Sequence, residues 1–280
     1  MNDCILFVSN AGFIDKFCST YESLRIIGEW TGDVCLIVGD DVNVDRLKEH
    51  PKIVGLPTTK SVGKPLDILY FPDIHFTEAT EQFIQITNRE CGKSGNKLFQ
   101  YHKFHVFQDY FRKWDRILYL DVGMKIYQPI SPLFSLLKPG YIVAHSDSWP
   151  TNRWRLIDQF QSMVNFEAYE ELCENYPTEL LMGDYFQTTM MLFSPKSIIH
   201  GNTLDDLIHL VEKYPICRTN DQGIIALYFI NRKQWSALPT TMAVSLPFSN
   251  QKEETVYTYD FCVRNSDKPY IMTKYYVFND

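Results

Sequence analysis

The feature that most constrains this chain is a recurrence: short, almost continuously apolar runs that each stop at a small polar residue or a carboxylate. Residues 4–9 (CILFVS) lead into Asn10-Ala11-Gly12, residues 34–38 (VCLIV) into Gly39-Asp40-Asp41, and residues 116–120 (RILYL) into Asp121. Runs this short, without polar alternation, are the pattern of strands buried on both faces, as in parallel sheets. After the first run, Phe17, Tyr21, Leu24 and Ile27 or Gly28 recur at helical spacing up to Trp30. Further apolar pieces stand at residues 53–56 and 68–71. From Asn96 a longer helical pattern puts Phe104, Phe107, Phe111 and Trp114 on one stripe. Strands alternating with helices predict βαβ units and an α/β fold around a mostly parallel sheet flanked by helices.

The second half is less regular. Residues 141–144 and 189–193 read as strands, residues 154–166, 198–214 and 222–230 as helices, and the tail from Pro239 as irregular. No repeat or linker separates the halves. The expectation is one domain over residues 1–280, with a nucleotide-binding half at 1–125 and an acceptor-facing half at 126–280. A chain of 280 residues buries about three quarters of its extended surface on folding. With 15% aromatic and 22% charged residues, it is too apolar for an unfolded chain. A net charge of -7 lacks the basic footprint of a nucleic-acid binder.

Seven cysteines are scattered without paired or C-x-x-C spacing, which suggests neither a disulfide framework nor a zinc site. The opening MNDCILFVSN reads as a strand, without the basic region of a signal peptide, and no apolar stretch is long enough to span a bilayer. A cytoplasmic location is the expectation.

In an open parallel sheet, ligands bind beyond the carboxyl ends of the strands. The residues that follow the expected strands are Ser9 and Asn10, Asp40 and Asp41, Asp121, and His145 and Asp147. Small polar groups and carboxylates thus gather at one edge. Each also has a plainer reading: Ser9 and Asn10 as helix caps, Asp40 and Asp41 as a surface turn, Asp121 as a turn cap. His102 and His105, one turn apart among phenylalanines, read as core-edge residues, since no third ligand with metal spacing accompanies them. For Trp149, Trp154 and Trp235, stacking on sugar rings and burial in the core both stay open.

The stretch Trp114-Asp115-Arg116-Ile117-Leu118-Tyr119-Leu120-Asp121-Val122-Gly123 resembles the signature of GT-A-fold glycosyltransferases, in particular the family-8-like enzymes that use nucleotide sugars. Four further segments resemble that family in the same order: Gln128-Pro129-Ile130-Ser131-Pro132-Leu133-Phe134, Ile142-Val143-Ala144-His145-Ser146-Asp147, the strand from Tyr185 to Phe193, and Asn220-Asp221-Gln222-Gly223. Together they cover roughly residues 95–230. The resemblance implies a GT-A-type fold and transfer of a sugar from a nucleotide diphosphate donor, UDP-linked by expectation, to a hydroxyl of a glycan or glycoprotein. It implies donor binding by Ser9, Asn10, Asp40, Asp41, Lys97, Asp121, Gly123, His145 and Asp147, and catalytic positions at Asp184, Gln187 and Asp221. It also implies a divalent cation, Mn²⁺ or Mg²⁺, on Asp121, because a hard cation with oxygen ligands neutralises the leaving diphosphate.

The chain departs from the family at two places. Its motif is Asp121-Val122-Gly123, with one carboxylate where the family has two. The family's C-terminal His-Lys-Pro-Trp has its nearest counterpart in Asp267-Lys268-Pro269-Tyr270, and no His follows His209. Two routes to neutralising the leaving group therefore stay open: a cation completed by waters and phosphates, or basic side chains. Inversion with Asp184 or Asp221 as base and retention with the phosphate as proton acceptor also both stay open. Two rival readings are a non-catalytic sugar-nucleotide binder of the same fold and a sugar nucleotidyltransferase. The second lacks its expected basic, glycine-rich loop after the first strand.

Overall fold

The structure is a computed structural model that describes residues 1–54, 63–95, 97–149, 154–244, 257–265 and 268–277. β1 (Asp3–Ser9) and β2 (Asp33–Val38) are buried at every position after their first residue. This is what an unbroken apolar run demands when both faces of the sheet are covered. β3 (Leu66–Tyr70), β4 (Arg116–Leu120) and the short β5 (Met124–Ile126) follow. β6 (Ile142–Ser146), β7 (Phe186–Phe193) and β8 (Trp235–Ala237) complete the strands of the main sheet.

That sheet has seven strands in the order β3-β2-β1-β4-β7-β6-β8. Parallel pairings join β1 to β2 and β4, β2 to β3, and β6 to β8. β7 runs antiparallel between β4 and β6. The chain moves outward from β1 to β3 and then returns to the other side of β1 with β4, so the order reverses between β1 and β4. Such a switch point opens a crevice at the carboxyl edge. Because β7 runs the opposite way, its first residues arrive at the same edge as the last residues of β4 and β6. The β6–β7 register slips between Ala144↔Met191 and Ser146↔Phe186.

The longer α-helices are α1 (Ile14–Ile26), α2 (Glu78–Glu90), α3 (Phe166–Asn175), α4 (Thr203–Lys213) and α5 (Asp221–Asn231). One core cluster, centred on Phe104, Phe107, Phe193 and Phe229, lies on one face of the sheet. The second, around Phe7, Phe17, Leu36 and Leu118, lies on the other. No helix among the described residues is long and apolar enough to cross a membrane.

Three expectations are corrected. The helix expected from Asn96 is two runs of 3-10 turns, Leu98–Phe107 and Asp109–Lys113; Asn96 itself lies outside the described residues. Every residue from Tyr101 to Phe107 is buried, so a single apolar stripe had no meaning there. The helix expected over residues 154–166 is reduced to 3-10 turns at Leu156–Gln159, with α3 beginning only at Phe166. The tail expected to be irregular holds β9 (Ala243–Val244), β10 (Tyr257–Asn265) and β11 (Lys268–Val277). These pair antiparallel with β5 in a four-stranded sheet ordered β5-β11-β10-β9. Its Tyr, Thr and Val content suits a pleated surface even without clean alternation. Of the apolar piece at 53–56, Ile53 and Val54 end a helical turn, and residues 55 and 56 lie outside the described residues.

Candidate active site

The crevice at the switch point is a cavity of about 380 Å³ whose walls include Ser9 and Asn10 from the end of β1, Lys16, Lys97, Lys103, Tyr119, Asp121, Gly123 and Asp221. It shares Asn10 and Phe99 with a second hollow lined by Asp41, Asp73, His75 and His102, so the two form one groove along the ends of β1, β2 and β4. The expected donor residues Ser9, Asn10, Lys97, Asp121 and Gly123 meet in the first part and Asp41 in the second. Asp41 accepts a hydrogen bond from the Ala11 N–H at 3.1 Å, tying the ends of β1 and β2 together. Asp40 is turned elsewhere. It accepts from the Tyr70 hydroxyl at 2.5 Å, which holds its carboxyl below the ordinary value.

Lys103 stands at the centre of the deeper part. Its ammonium lies 3.1 Å from Asp121 Oδ1 and 2.8 Å from Asp221 Oδ2, with its side chain 11% exposed. It also donates to Thr188 Oγ1 at 3.0 Å and stands 5.3 Å from the centre of the Tyr119 ring. Thr188 in turn donates to Asp221 Oδ2 at 3.0 Å, and Tyr119 donates to Asp121 Oδ1 at 2.7 Å. Burial and the Asp121 carboxylate hold the Tyr119 phenol well above its ordinary value, so it stays a donor. The network joins four places in the sequence: the 3-10 segment, the tip of β4, the start of β7 and the start of α5. A lysine is rarely buried unless paired, and here it is paired twice.

Lys103 was not singled out from the sequence. The sequence points instead to Lys97, which opens the segment. The available signal was a lone cation inside the run YHKFHVF, all of which is buried.

A second cluster lies beside the first, at the end of β6. Asp147 accepts from the Gln187 amide on β7 and, at 3.1 Å, from the Gln222 amide on α5. It borders another cavity of about 300 Å³ with Lys93, Trp154, Asp158, Tyr185 and Arg218 among its walls. The Arg218 guanidinium lies 5.8 Å from the centre of the Trp154 ring. Trp235 packs on Phe186, at 5.6 Å between ring centres, whereas Trp154 lies on the cavity wall. Gln222 belongs to the Asp-Gln pair, of which the sequence reading points only to Asp221.

The segment Asn220-Asp221-Gln222 links the clusters: Asp221 serves the lysine and Gln222 serves Asp147. Asn220 holds the junction at a positive φ of 55° with ψ -107°. Its fully buried side chain donates to Asn88 at 3.1 Å and to Gln100 and accepts from Tyr101. Backbone held this way needs such over-determination.

Four expected residues, Asp40, His145, Asp184 and Gln187, line none of these cavities. Asp184 accepts from the Ser146 hydroxyl at 2.8 Å and from the Tyr185 N–H at 2.7 Å. His145 is buried beneath the edge, its ring facing Trp149 at 6.1 Å between centres, and burial lowers its basicity. His102 lines the second hollow and His105 stacks on Phe71, and burial pushes both down to about 4.

The residues around Asp121 do not fit a divalent cation cage. Among the described residues no three of His, Cys, Asp and Glu gather as ligands. Position 123 is Gly, and an ammonium already lies against Asp121. Of the C-terminal counterpart, Asp267 lies outside the described residues.

Comparison with known structures finds this fold among glycosyltransferases. The galactosyltransferase LgtC, crystallised with donor and acceptor sugar analogs, aligns with a TM-score of 0.52 at 12% identity, over 85% of this chain and 74% of its own. WbbM, a bifunctional glycosyltransferase, aligns with a TM-score of 0.53 at 11% identity, over 86% of this chain and 39% of its own. GlyE of Streptococcus pneumoniae aligns at 0.50 and 16% identity, over 86% and 46%. A search of curated proteins finds no sequence match. The model of glycosyl transferase family 8 matches residues 36–260, a stretch that contains the Asp121 strand tip, the Asp147 cluster and the Asp-Gln pair, and the chain therefore belongs to that family and is a glycosyltransferase.

Proposed function

We propose that the enzyme moves a sugar from a nucleotide diphosphate donor, UDP-linked, to a hydroxyl of a glycan or glycoprotein. The observation that carries this reading is the groove at the switch point, where the ends of β1 and β2 lead directly to three lysines and the Asp121–Lys103–Asp221 cluster. A nucleoside fits the end bounded by Asn10, Asp41 and Phe99. The diphosphate then falls among Lys16, Lys97 and Lys103, where charge-assisted contacts favour an anion. The sugar is directed toward Asp147, whose carboxylate is oriented by Gln187 and Gln222. The cavity with Trp154 supplies an aromatic face for an acceptor sugar ring.

The bond between the anomeric carbon and the β-phosphate oxygen breaks as the acceptor oxygen bonds to that carbon. The nucleoside diphosphate leaves with the bonding pair. Asp221 is already tied to Lys103 and Thr188, and Asp184 lies off the cavity walls, so neither is presented as a free base. The departing phosphate oxygen is then the natural acceptor for the hydroxyl proton, which favours retention.

The test is release of UDP from a panel of UDP-sugars. Slow hydrolysis of one donor, lost in Asp121→Ala, supports the reading. Tight UDP binding with no turnover of any donor across a panel of glycan acceptors would leave only a binding protein.

A further inference from the structure

We propose that Lys103 does in this chain what a divalent cation does for a nucleotide-diphosphate donor: its ammonium, held between Asp121 and Asp221, neutralises the diphosphate, and the site works without metal. This rests on the donor reading above and adds to it the source of the positive charge.

The first support is geometric. Lys103 Nζ lies at ion-pair distance from both carboxylates, 3.1 Å and 2.8 Å, and a third contact to Thr188 Oγ1 at 3.0 Å fixes its direction. A cation bound to Asp121 from this side would stand against a like charge. The second is the count of charges on the cavity wall. Lys16, Lys97 and Lys103 face Asp121 and Asp221, so the wall is net positive by one before any ion arrives. Hard cations are held by an excess of anionic oxygen, whereas this balance receives an anion.

The third support is in the backbone. Gly123, where a second motif carboxylate would stand, has φ 83°, a conformation that glycine adopts freely and side-chain-bearing residues disfavour. Its N–H donates to Thr20 Oγ1 on α1 at 3.1 Å, and Thr20 donates onward to the Met124 carbonyl at 3.1 Å. The turn after β4 is thus shaped around glycine and pinned to α1. A second carboxylate is disfavoured by the turn as well as missing from the sequence.

The experiment is calorimetric titration of UDP into the full-length protein, once in EDTA and once in Mn²⁺ or Mg²⁺. UDP should bind in EDTA, with an affinity that added metal leaves nearly unchanged. Lys103→Met should weaken binding at least about tenfold, the loss of one charge-assisted contact, and Lys103→Arg should restore most of it. Because Lys103→Met leaves two carboxylates facing each other, Lys103→Met with Asp221→Asn serves as the folded control and should bind UDP as poorly. Binding that requires metal, or a Lys103→Met protein that binds like the wild type, overturns the proposal. If UDP binds under neither condition, the choice of nucleotide fails instead, and the same titrations with inorganic pyrophosphate decide the lysine's role. Donor turnover that appears only with Mn²⁺ keeps the transferase and removes the metal-free site.

Discussion

Asp121 and Asp221 share one ammonium, whereas Asp147, beside them on the same sheet edge, is held by two glutamine amides. Lysine cancels charge; amides only orient it. One ammonium leaves the two carboxylates of the first cluster net negative by one, and Lys16 and Lys97 on the same wall turn the balance positive. In the second, two amides fix the direction of the Asp147 carboxylate at the edge of a cavity that also holds Lys93 and Arg218. The same residue type performs different tasks because its partners differ.

The strongest way to break this contrast is to remove the shared ammonium. Lys103→Met leaves the buried Asp221 and the half-buried Asp121 without their cation and should cost up to about 3 kcal/mol of folding stability, measured by urea unfolding at pH 7.5. Adding Asp221→Asn should recover a substantial part of that loss, because the partners are coupled. A single variant that unfolds with the wild type would show that the pair carries no weight in the fold.

Acidification separates the clusters next. The segment that carries Lys103 also carries His102 and His105, both buried and both pushed by that burial from 6.5 down to about 4. Their folded values lie below the unfolded ones. The unfolded chain thus takes up protons first as pH falls below 6.5, and stability is lost progressively toward pH 4. Between pH 7.5 and 5 the loss is about 2 kcal/mol per ring. It is somewhat less for the pair, whose rings face each other at 4.5 Å between centres. Denaturation series at several pH values, repeated with His102→Phe, should show a shallower slope in the variant. An unchanged slope would contradict the assignment.

On the other side of the comparison, Gln187→Leu and Gln222→Leu each remove one donor to Asp147. Each should lower kcat/KM for the sugar nucleotide about tenfold, the value of one hydrogen bond to a charged group. UDP affinity should hold, since UDP lacks the sugar. A loss of UDP affinity equal to the loss of turnover would place Asp147 in the diphosphate site and erase the distinction between the clusters.

The contrast between clusters also marks what could be read from the sequence. Strand ends advertise themselves: an apolar run that stops at Ser9 or Asp121 predicts both a strand and a residue at the carboxyl edge, and both arrive there. Lys103 gave no such sign, because its role exists only once β7 and α5 deliver Thr188 and Asp221 from more than eighty residues away. Asp40 and Asp41 are adjacent in sequence, but only Asp41 lines the groove. The turn geometry that chose between them is set by Tyr70 and Ala11. The tail from Pro239 was misread for a related reason: its strands pair with one another and with β5, and pairing across the chain leaves no local period.

Asn220 offers the finest discrimination, because it joins the two clusters and belongs to neither. Its φ of 55° with ψ -107° costs any side-chain-bearing residue about 1–3 kcal/mol relative to glycine, while its side chain contributes three hydrogen bonds to the buried loop. Asn220→Ala loses the hydrogen bonds and keeps the strain; Asn220→Gly loses the hydrogen bonds and relieves it. The glycine variant should therefore be the more stable of the two by about 1 kcal/mol, read from paired urea midpoints. Both variants should lose UDP affinity and sugar-dependent turnover together, because Asp221 and Gln222 move with the same backbone. A variant that lost only one of these functions would show that the two clusters are positioned separately, and the link through Asn220 would then be a matter of proximity alone.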